Sequence, residues 1–526
     1  MNLIDRAVAV ISPQKGLRRM AARKQLDILN TGYSNSGASK QKKSMRGWLF
    51  RGGSTKEDID ENLDTLRQRA RDLYMNTPLA TGSLKTIRTN ALGYGLVLNS
   101  QIDHEFLGLT EAEADAWETL VEREFGLWAD SLMADALQMH NFYELQQIAF
   151  LSFLASGETF VTLPYRGHKE HWYGLRVQLI ESDRILSPSG ASSNILSGVE
   201  LGRFGEVVAY HICNMHPLSS GSGKKEWVRV EKFGKHSGRQ NILHLLESER
   251  PDQRRGVPLL APVIESLKQL DRYSEAELTA ALVSSLMTVF IESTEDDDGS
   301  SSPVGEGGIA EEDLIDQADE TTVELAPGSV IALAPGEKAN TSNPARNNTS
   351  FDPFVTAILR QVGAALEIPY EVLVKHFTSS YSASRAALLE AWKMFKMRRT
   401  FMAKRFCQPI YEEWLTEAVL IGRIHAPGFL EDPLIRRAYS QAEWNGPSQG
   451  QLDPLKEVNA AIKRVESGFS TRARETVELT GADYWRNHAQ RVREEEARRE
   501  AGLDIAYLEV MKAMQGKEVN EEDGED

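Results

Sequence analysis

Residues 259–286, LLAPVIESLKQLDRYSEAELTAALVSSL, hold helical spacing almost without interruption. About 28 residues at 1.5 Å each make a rod of roughly 40 Å. Apolar Leu267, Leu270, Ala276, Leu278 and Leu282 are interleaved with charges, so one face is buried and another is wet. The apolar spacing is not that of coiled-coil heptads. Pro262 falls in the first turn, where proline is tolerated. A second helical run, FDPFVTAILRQVGAAL (351–366), ends before Pro369. The segment between them reads as strand MTVFIES, then an acidic Gly/Ser stretch, then TTVELAPGSVIALAPGEK. That is a small β unit punctuated by Pro-Gly and inserted between helices.

What precedes the rod has another character. A capping pattern at Thr55 leads into a helix with Leu63, Leu66, Ala70 and Leu73 at helical spacing. Pro78 opens a second helix that ends at Gly93-Tyr94-Gly95, and residues 111–156 read as helix with Trp117, Leu120, Phe125 and Trp128 on one stripe. After Gly157 the period changes: TFVTLPY, GLRVQLIES, GEVVAYHI and WVRVEK read as strands. Residues 57–255 are therefore expected to form an α+β body. Beyond Pro369 lies a polar loop, His376 to Ser384. A long helix is expected from near Ser384 to past Ile421, kinked or broken at Pro409. An aromatic turn, Trp444-Asn445-Gly446-Pro447, precedes a helical C-terminal region.

Charge is uneven. The chain of 526 residues has 60 Lys and Arg against 76 Asp and Glu, yet residues 1–56 hold 12 basic side chains and only Asp5 and Asp27 as acids. Residues 31–55, rich in Gly, Ser, Lys and Arg, read as a linker or mobile arm. A basic arm on an acidic body suggests an anionic partner, nucleic acid or an acidic protein, with a solvated leader as the plain alternative. A second basic cluster, Arg385, Lys393, Lys396, Arg398, Arg399, Lys404 and Arg405, is relieved in sequence only by Glu390. Residues 292–320 carry twelve acids and no Lys or Arg, and the tail from Glu518 is nearly all acid; such runs are usually solvated. Cys213 and Cys407 are the only cysteines, which excludes a disulfide scaffold and points to a reducing compartment. No apolar run approaches the ~20 residues of a membrane span, and the N-terminus lacks a signal-peptide pattern.

Catalytic motifs are missing. Gly221-Ser222-Gly223-Lys224-Lys225 lacks the hydroxyl and spacing of a phosphate loop and reads as a hairpin turn. His168 and His171 around Glu170 do not share a helical face as zinc ligands would. Asp296-Asp297-Asp298 lies in a Gly/Ser stretch without a rigid shell for metal ions. Glu158 and Glu181-Ser182-Asp183-Arg184 fall at strand ends and read as salt-bridging groups. No catalytic residue, metal or cofactor is expected.

The order of parts, with several local motifs, resembles the portal proteins of tailed bacteriophages, specifically the lambda type. The carriers are Asn76-Thr77-Pro78-Leu79-Ala80-Thr81-Gly82 leading to Gly93-Tyr94-Gly95-Leu96, and Ser156-Gly157-Glu158-Thr159-Phe160. They continue with Arg255-Gly256-Val257-Pro258, Leu260-Ala261-Pro262-Val263, Tyr273 to Ala281, Gly363, and Ile368-Pro369-Tyr370. Ser382-Ala383-Ser384-Arg385-Ala386-Ala387-Leu388, Trp444-Asn445-Gly446-Pro447 and Asp453-Pro454 complete them. The resemblance implies an α+β subunit of a homo-oligomeric ring, commonly a dodecamer, at the capsid portal vertex. Viral double-stranded DNA would pass through it without sequence preference. It further implies terminase, capsid or scaffold protein and head-completion or tail proteins as partners, no membrane, and assembly in the host cytoplasm. A head–tail adaptor ring and a nucleic-acid-processing enzyme are the alternatives.

Carried onto this chain, the resemblance gives a basic arm (1–56), a wing (57–255), a stem helix (256–289), a clip (290–345) and a second stem helix (346–372). A tunnel loop (373–385), a long wing helix (386–440) and a helical crown with the acidic tail (441–526) follow. The loop's polar Thr378, Ser379, Ser380, Tyr381 and Ser382, flanked by Lys375, His376 and Arg385, suit transient phosphate contacts without grip. The plainer reading is an N-cap region with Tyr381 packed on the wing. Leu267, Leu270 and Leu278 are the expected subunit-interface stripe.

Overall fold

The computed structural model describes residues 8, 10–29, 38–39, 42–45, 47–48, 52–167, 171–220, 223–285, 289–291, 330–332, 351–377, 380–450 and 453–503. They fall into two compact units, 1–58 and 59–526. The first unit carries helices α1 (Pro13–Leu29) and α2 (Thr55–Asp58). The arm therefore contains a helix where the sequence reading placed no element, since its many charges hide the Ala, Leu, Met and Arg helix formers.

The second unit is α+β. Helix α3 (Leu63–Asn76) buries Leu63, Arg67, Ala70 and Leu73, one face at i, i+4, i+7 and i+10. Pro78 sits in the first turn of α4 (Pro78–Leu92), which stops at Gly93 with φ +59°. After β1 (Val97–Ser100) and the short α5 (His104–Leu107) comes α6 (Glu111–Ala129), opened by a Thr110–Glu113 capping box. The expected single helix over 111–156 is broken here. Asp135 accepts the backbone N–H groups of Leu137, Met139 and His140, and a new capping box, Asn141–Glu144, starts α7 (Phe142–Ser156). The local polar side chains compete with the helix ladder and win.

Gly157, at φ +85°, ends α7 and turns the chain into β2 (Glu158–Thr162). Strands β3 (Gln178–Ile180), β4 (Ile195–Leu196), β5 (Val199–Leu201), β6 (Val207–Cys213), β7 (Trp227–Glu231) and β8 (Ile242–Leu246) follow. They make two antiparallel sheets, ordered β3-β2-β8 and β4-β5-β6-β7. Strands β6 and β7 pair as a hairpin around the glycine-lysine segment read as a turn, of which Gly221 and Ser222 lie outside the described residues.

The first rod is α8 (Ile264–Ser285). Val289–Ile291 (β9) and Val330–Ala332 (β10) pair in parallel; the remainder of the inserted segment, Asp296-Asp297-Asp298 included, lies outside the described residues. Then come α9 (Phe351–Ala365), α10 (Tyr370–Val374) and α11 (Tyr381–Met402). A π-turn at Ala403–Cys407 joins α11 to α12 (Gln408–Leu420), whose first turn holds Pro409. The irregular turn absorbs the hydrogen bond that the proline cannot donate, which is the expected interruption.

After α13 (Pro433–Tyr439), residues Ala442–Asn445 form β11, antiparallel to β1 in the register Val97↔Asn445. This corrects the aromatic turn: Trp444 and Asn445 belong to the body's sheet, and Gly446-Pro447 follows the strand without forming a regular element. Helices α14 (Pro454–Glu466), α15 (Arg472–Thr480) and α16 (Tyr484–Glu500) end the described chain. The core lies among α6, α7 and α12, where Phe125 meets Trp414 edge-on at 5.1 Å and Phe142 stacks on Phe406 at 5.7 Å.

Candidate functional site

Where the first rod leaves the body, backbone packs directly on backbone. A Cβ on Gly256 would lie 2.1 Å from the Gly157 carbonyl oxygen, and one on Gly157 would lie 2.3 Å from the Val257 carbonyl carbon. Only glycine at both positions allows this approach.

Glu158 sits beside it, fully buried. Its Oε1 accepts from Arg67 Nη2 and from Arg255 Nε at 2.7 Å; its Oε2 accepts from His244 Nε2 at 2.8 Å and from the Gly256 N–H at 2.8 Å. Burial alone would raise the Glu158 pKa, but Arg255 and Arg67 outweigh it and hold the carboxyl well below its ordinary range. Burial depresses His244, which is therefore the neutral donor. Arg255 also donates to the carbonyls of Ile185, Ser197 and Ser182, and Asp183 pairs with Arg71. The salt-bridging reading of Glu158 and Asp183 thus has its partners. Those partners were not legible in the sequence, since Arg67 and Arg255 stand 91 and 97 positions from Glu158.

The two rods run together at their base. Tyr273 stacks on Phe351 at 5.3 Å and meets Phe354 edge-on at 5.3 Å. Leu267 is 1% exposed and Leu270 9%, but Leu278 is 63% exposed. The stripe is divided. Leu267 and Leu270 are already covered by this chain's own core and have almost no surface left for a neighbour, which corrects their assignment as interface residues; Leu278 keeps its apolar surface.

At the far end of α9 the chain turns tightly. The Ile368 N–H donates to the Gly363 carbonyl at 2.9 Å, and a Cβ on Gly363 would lie 2.5 Å from Ile368 O. Glu367 (φ +58°) and Lys375 (φ +56°) hold left-handed conformations on either side of α10. For a side chain other than glycine that costs of order 1 kcal/mol or more, and such residues cluster at functional positions. Lys375 and His376 are exposed. Ser380 caps α11 by accepting from the Ala383 N–H at 3.4 Å.

The loop is therefore shorter than the expected 373–385. Tyr381, Ser382 and Arg385 belong to α11, because the Ser380 cap starts the helix at Tyr381, three residues before Ser384. Ser382 is exposed, while Arg385 is half-buried and 3.9 Å from Glu457. Thr378 and Ser379, with the side chain of Tyr381, lie outside the described residues.

The neighbouring basic cluster is also less free than its sequence suggested. Lys393 pairs with Glu390 at 2.7 Å, Lys396 with Glu478 at 3.2 Å, and Arg398 with Glu247. Arg399 donates to the carbonyls of Ala91, Asn90 and Pro447 and lies over the Trp392 ring, with its pKa lowered to about 10 by burial. A cleft of about 1260 Å³ between the body and α14–α16 is lined by several of these paired groups. Among the described residues no cluster of His, Cys, Asp and Glu could hold a metal ion; His168 and Glu170 lie outside them. No described helix is long and apolar enough to cross a membrane.

Comparison with known proteins gives one consistent result. The family pattern described as "Phage portal protein, lambda family" matches residues 41–399. Portal protein B of Escherichia phage lambda is 26% identical over 478 residues, covering 87% of this chain and 88% of the relative. The portal protein of Escherichia phage N15 is 25% identical, over 88% of this chain and 89% of its own. A probable portal protein of Halomonas phage phiHAP-1 is 23% identical, over 82% and 80%. Among solved structures, a chain from the neck of a native GTA particle, computed with C12 symmetry, aligns over 80% of this chain and 93% of its own. Its TM-score of 0.35 and identity of 15% make that likeness too slight to bear on the fold.

Proposed function

The chain belongs to the lambda family of phage portal proteins, and on that premise we propose that its copies close a dodecameric ring at one capsid vertex through which double-stranded DNA enters and leaves. As a portal protein it is a structural part of a phage particle and not an enzyme. The observation that carries the reading is the family match, which spans the body, both rods, the turn after α9 and most of α11.

In this reading residues 59–255 with α11 and α12 are the wing, α8 and α9 the stem, and α14–α16 the crown. Residues 290–345 are the clip, whose acids suit a basic surface on terminase during packaging and on head-completion proteins afterwards. Capsid or scaffold protein would hold the ring during assembly in the host cytoplasm. The loop between α10 and α11 faces the channel. Its exposed Lys375 and His376 and its hydroxyls touch phosphate transiently, and the scarcity of cations lets DNA slide. The left-handed backbone of Lys375 supports that role, because glycine would sit there more cheaply.

Packaging in vitro tests the proposal. Ser379→Lys/Ser380→Lys should assemble normally, retain DNA with a steeper salt dependence, and package more slowly. Ser379→Asp/Ser380→Asp should retain packaged DNA less well. Equal packaging and retention in wild type and both variants would remove the loop from the channel.

A further inference from the structure

Two members of the basic cluster that begins at Arg385 are left without partners. Lys404 and Arg405 stand in the π-turn Ala403–Cys407, both exposed, and neither pairs with a carboxylate among the described residues. Such turns are rare and recur at functional positions. A third unpaired cation, Lys232, follows β7 directly. Its N–H donates to the Val208 carbonyl at 2.9 Å, and its carbonyl accepts from the Asn241 N–H at 3.0 Å, one residue before β8. Lys232 is half-buried, with Nζ 5.4 Å from the centre of the exposed Phe233 ring. The link from β7 to β8 is tied to α12 by Arg239, whose Nε donates to Glu413 Oε2 at 2.6 Å. This arrangement holds Lys232 within electrostatic reach of Arg405; burial first, then Arg405, lowers the Lys232 pKa, and no carboxylate offsets them. The acids nearby are engaged elsewhere, Glu413 with Arg239 and Glu231 with Arg229 and Lys235. Two like charges held together without an acid cost free energy in the empty chain, and an anion bound between them removes that cost.

The pair is remote from the loop between α10 and α11. Arg405 lies beyond the far end of the 22-residue α11, roughly 35 Å from Tyr381 at 1.5 Å per residue. Cations there hold an anion without gripping what moves past the loop. A lysine point charge beside an arginine fork suits the oxygens of a phosphate group. One such pair binds one phosphate weakly. Repeated in every copy of a ring, it meets a duplex at several phosphates at once and without sequence preference. We propose that Lys232 and Arg405, with Lys404 beside them, form a phosphate site that holds duplex DNA against the surface of the body, apart from the channel. The choice of duplex DNA as ligand rests on the portal reading above, to which the site adds a gripping contact separate from the sliding one.

Covalently closed circular DNA tests the site, because a circle cannot thread a closed ring and reports only contacts outside the channel. Filter binding of a relaxed circle to the full chain is followed from ~50 to ~200 mM salt. Lys232→Gln/Arg405→Gln should bind the circle at least ~10-fold more weakly at the low end, with a plot of log K against log salt shallower by about 2 per engaged subunit. Lys232→Arg should keep wild-type binding. Lys393→Gln/Lys396→Gln removes the same charge from two cations that already have carboxylate partners, and should bind within about twofold of wild type. All three variants should melt as wild type does. A Lys232/Arg405 variant with wild-type affinity and slope, or one no weaker than the Lys393/Lys396 control, would overturn the site. Polyglutamate that displaces the circle from wild type as well as linear duplex does, at equal charge, would assign the patch to an acidic protein and also overturn it. Binding that depends on Lys232 and Arg405 in a chain that forms no rings would leave the site standing and remove only the ring reading.

Discussion

Replacing Glu158 with Gln tests the anchorage of the stem. The carboxylate is fully buried and accepts four N–H donors, two of them from the guanidinium groups of Arg67 and Arg255. Glutamine keeps the shape but removes the one negative charge between two buried cations. However it is turned, it also aims an NH₂ at donors. Breaking a buried pair in this way costs about 3–5 kcal/mol, a large part of the ~5–15 kcal/mol typical of a domain. Denaturant unfolding of the unassembled subunit, followed by tryptophan fluorescence, should show that loss near neutral pH. Because the folded pKa of Glu158 lies below its ordinary value, its contribution is present above pH ~4.5 and fades as pH falls toward the folded value. The gap between wild type and E158Q should therefore narrow in acid. The double variant R67M/E158Q should be less destabilised than E158Q alone, since the remaining Arg255 still has the carbonyls of Ile185, Ser197 and Ser182. An E158Q protein within ~1 kcal/mol of wild type, or a double variant worse than the single, would refute charge compensation as the role of this cluster.

Three further outcomes are expected. Leu278→Asp should leave the stability of the monomer within ~0.5 kcal/mol while impairing assembly in sedimentation, whereas Leu270→Asp, inside the core, should unfold the body itself. Lys375→Gly should raise stability by ~1 kcal/mol by relieving the left-handed strain and lower the salt dependence of DNA retention; unchanged stability in thermal unfolding would count against strain at Lys375. Burial pushes Glu122 up to about 7, against the Ser100 N–H bond it accepts. Its stabilising contribution should be complete below pH ~4.5 and lost as pH rises through about 7, so wild type should lose its melting-temperature advantage over Glu122→Gln across that window; parallel curves would contradict it.

Much of the architecture was legible in local pattern. The rods showed in unbroken helical spacing, the change to strands at Gly157 showed in period, and the start of α4 showed in Pro78. Breaks made by polar side chains inside apolar runs were harder to see. Asp135 and the Asn141–Glu144 box split a stretch that hydrophobic spacing reads as continuous. β11 was hidden because four residues ending in Trp-Asn before Gly-Pro read as a turn until β1, more than three hundred positions away, supplies the ladder. The polar break before the long helix showed in composition, but the Ser380 cap, which places Ser382 and Arg385 on a helix, did not. The division of the Leu267–Leu270–Leu278 stripe could not be read at all, since periodicity shows that a face is apolar and not what lies against it.

The proposed role requires copies of this chain to form a conduit. Single-particle averages of the purified full-length protein, viewed down the particle axis, test it most directly. Rings of twelve subunits with an open central hole are expected. Monomers, open filaments or closed discs without a hole at concentrations where the protein is folded would contradict it.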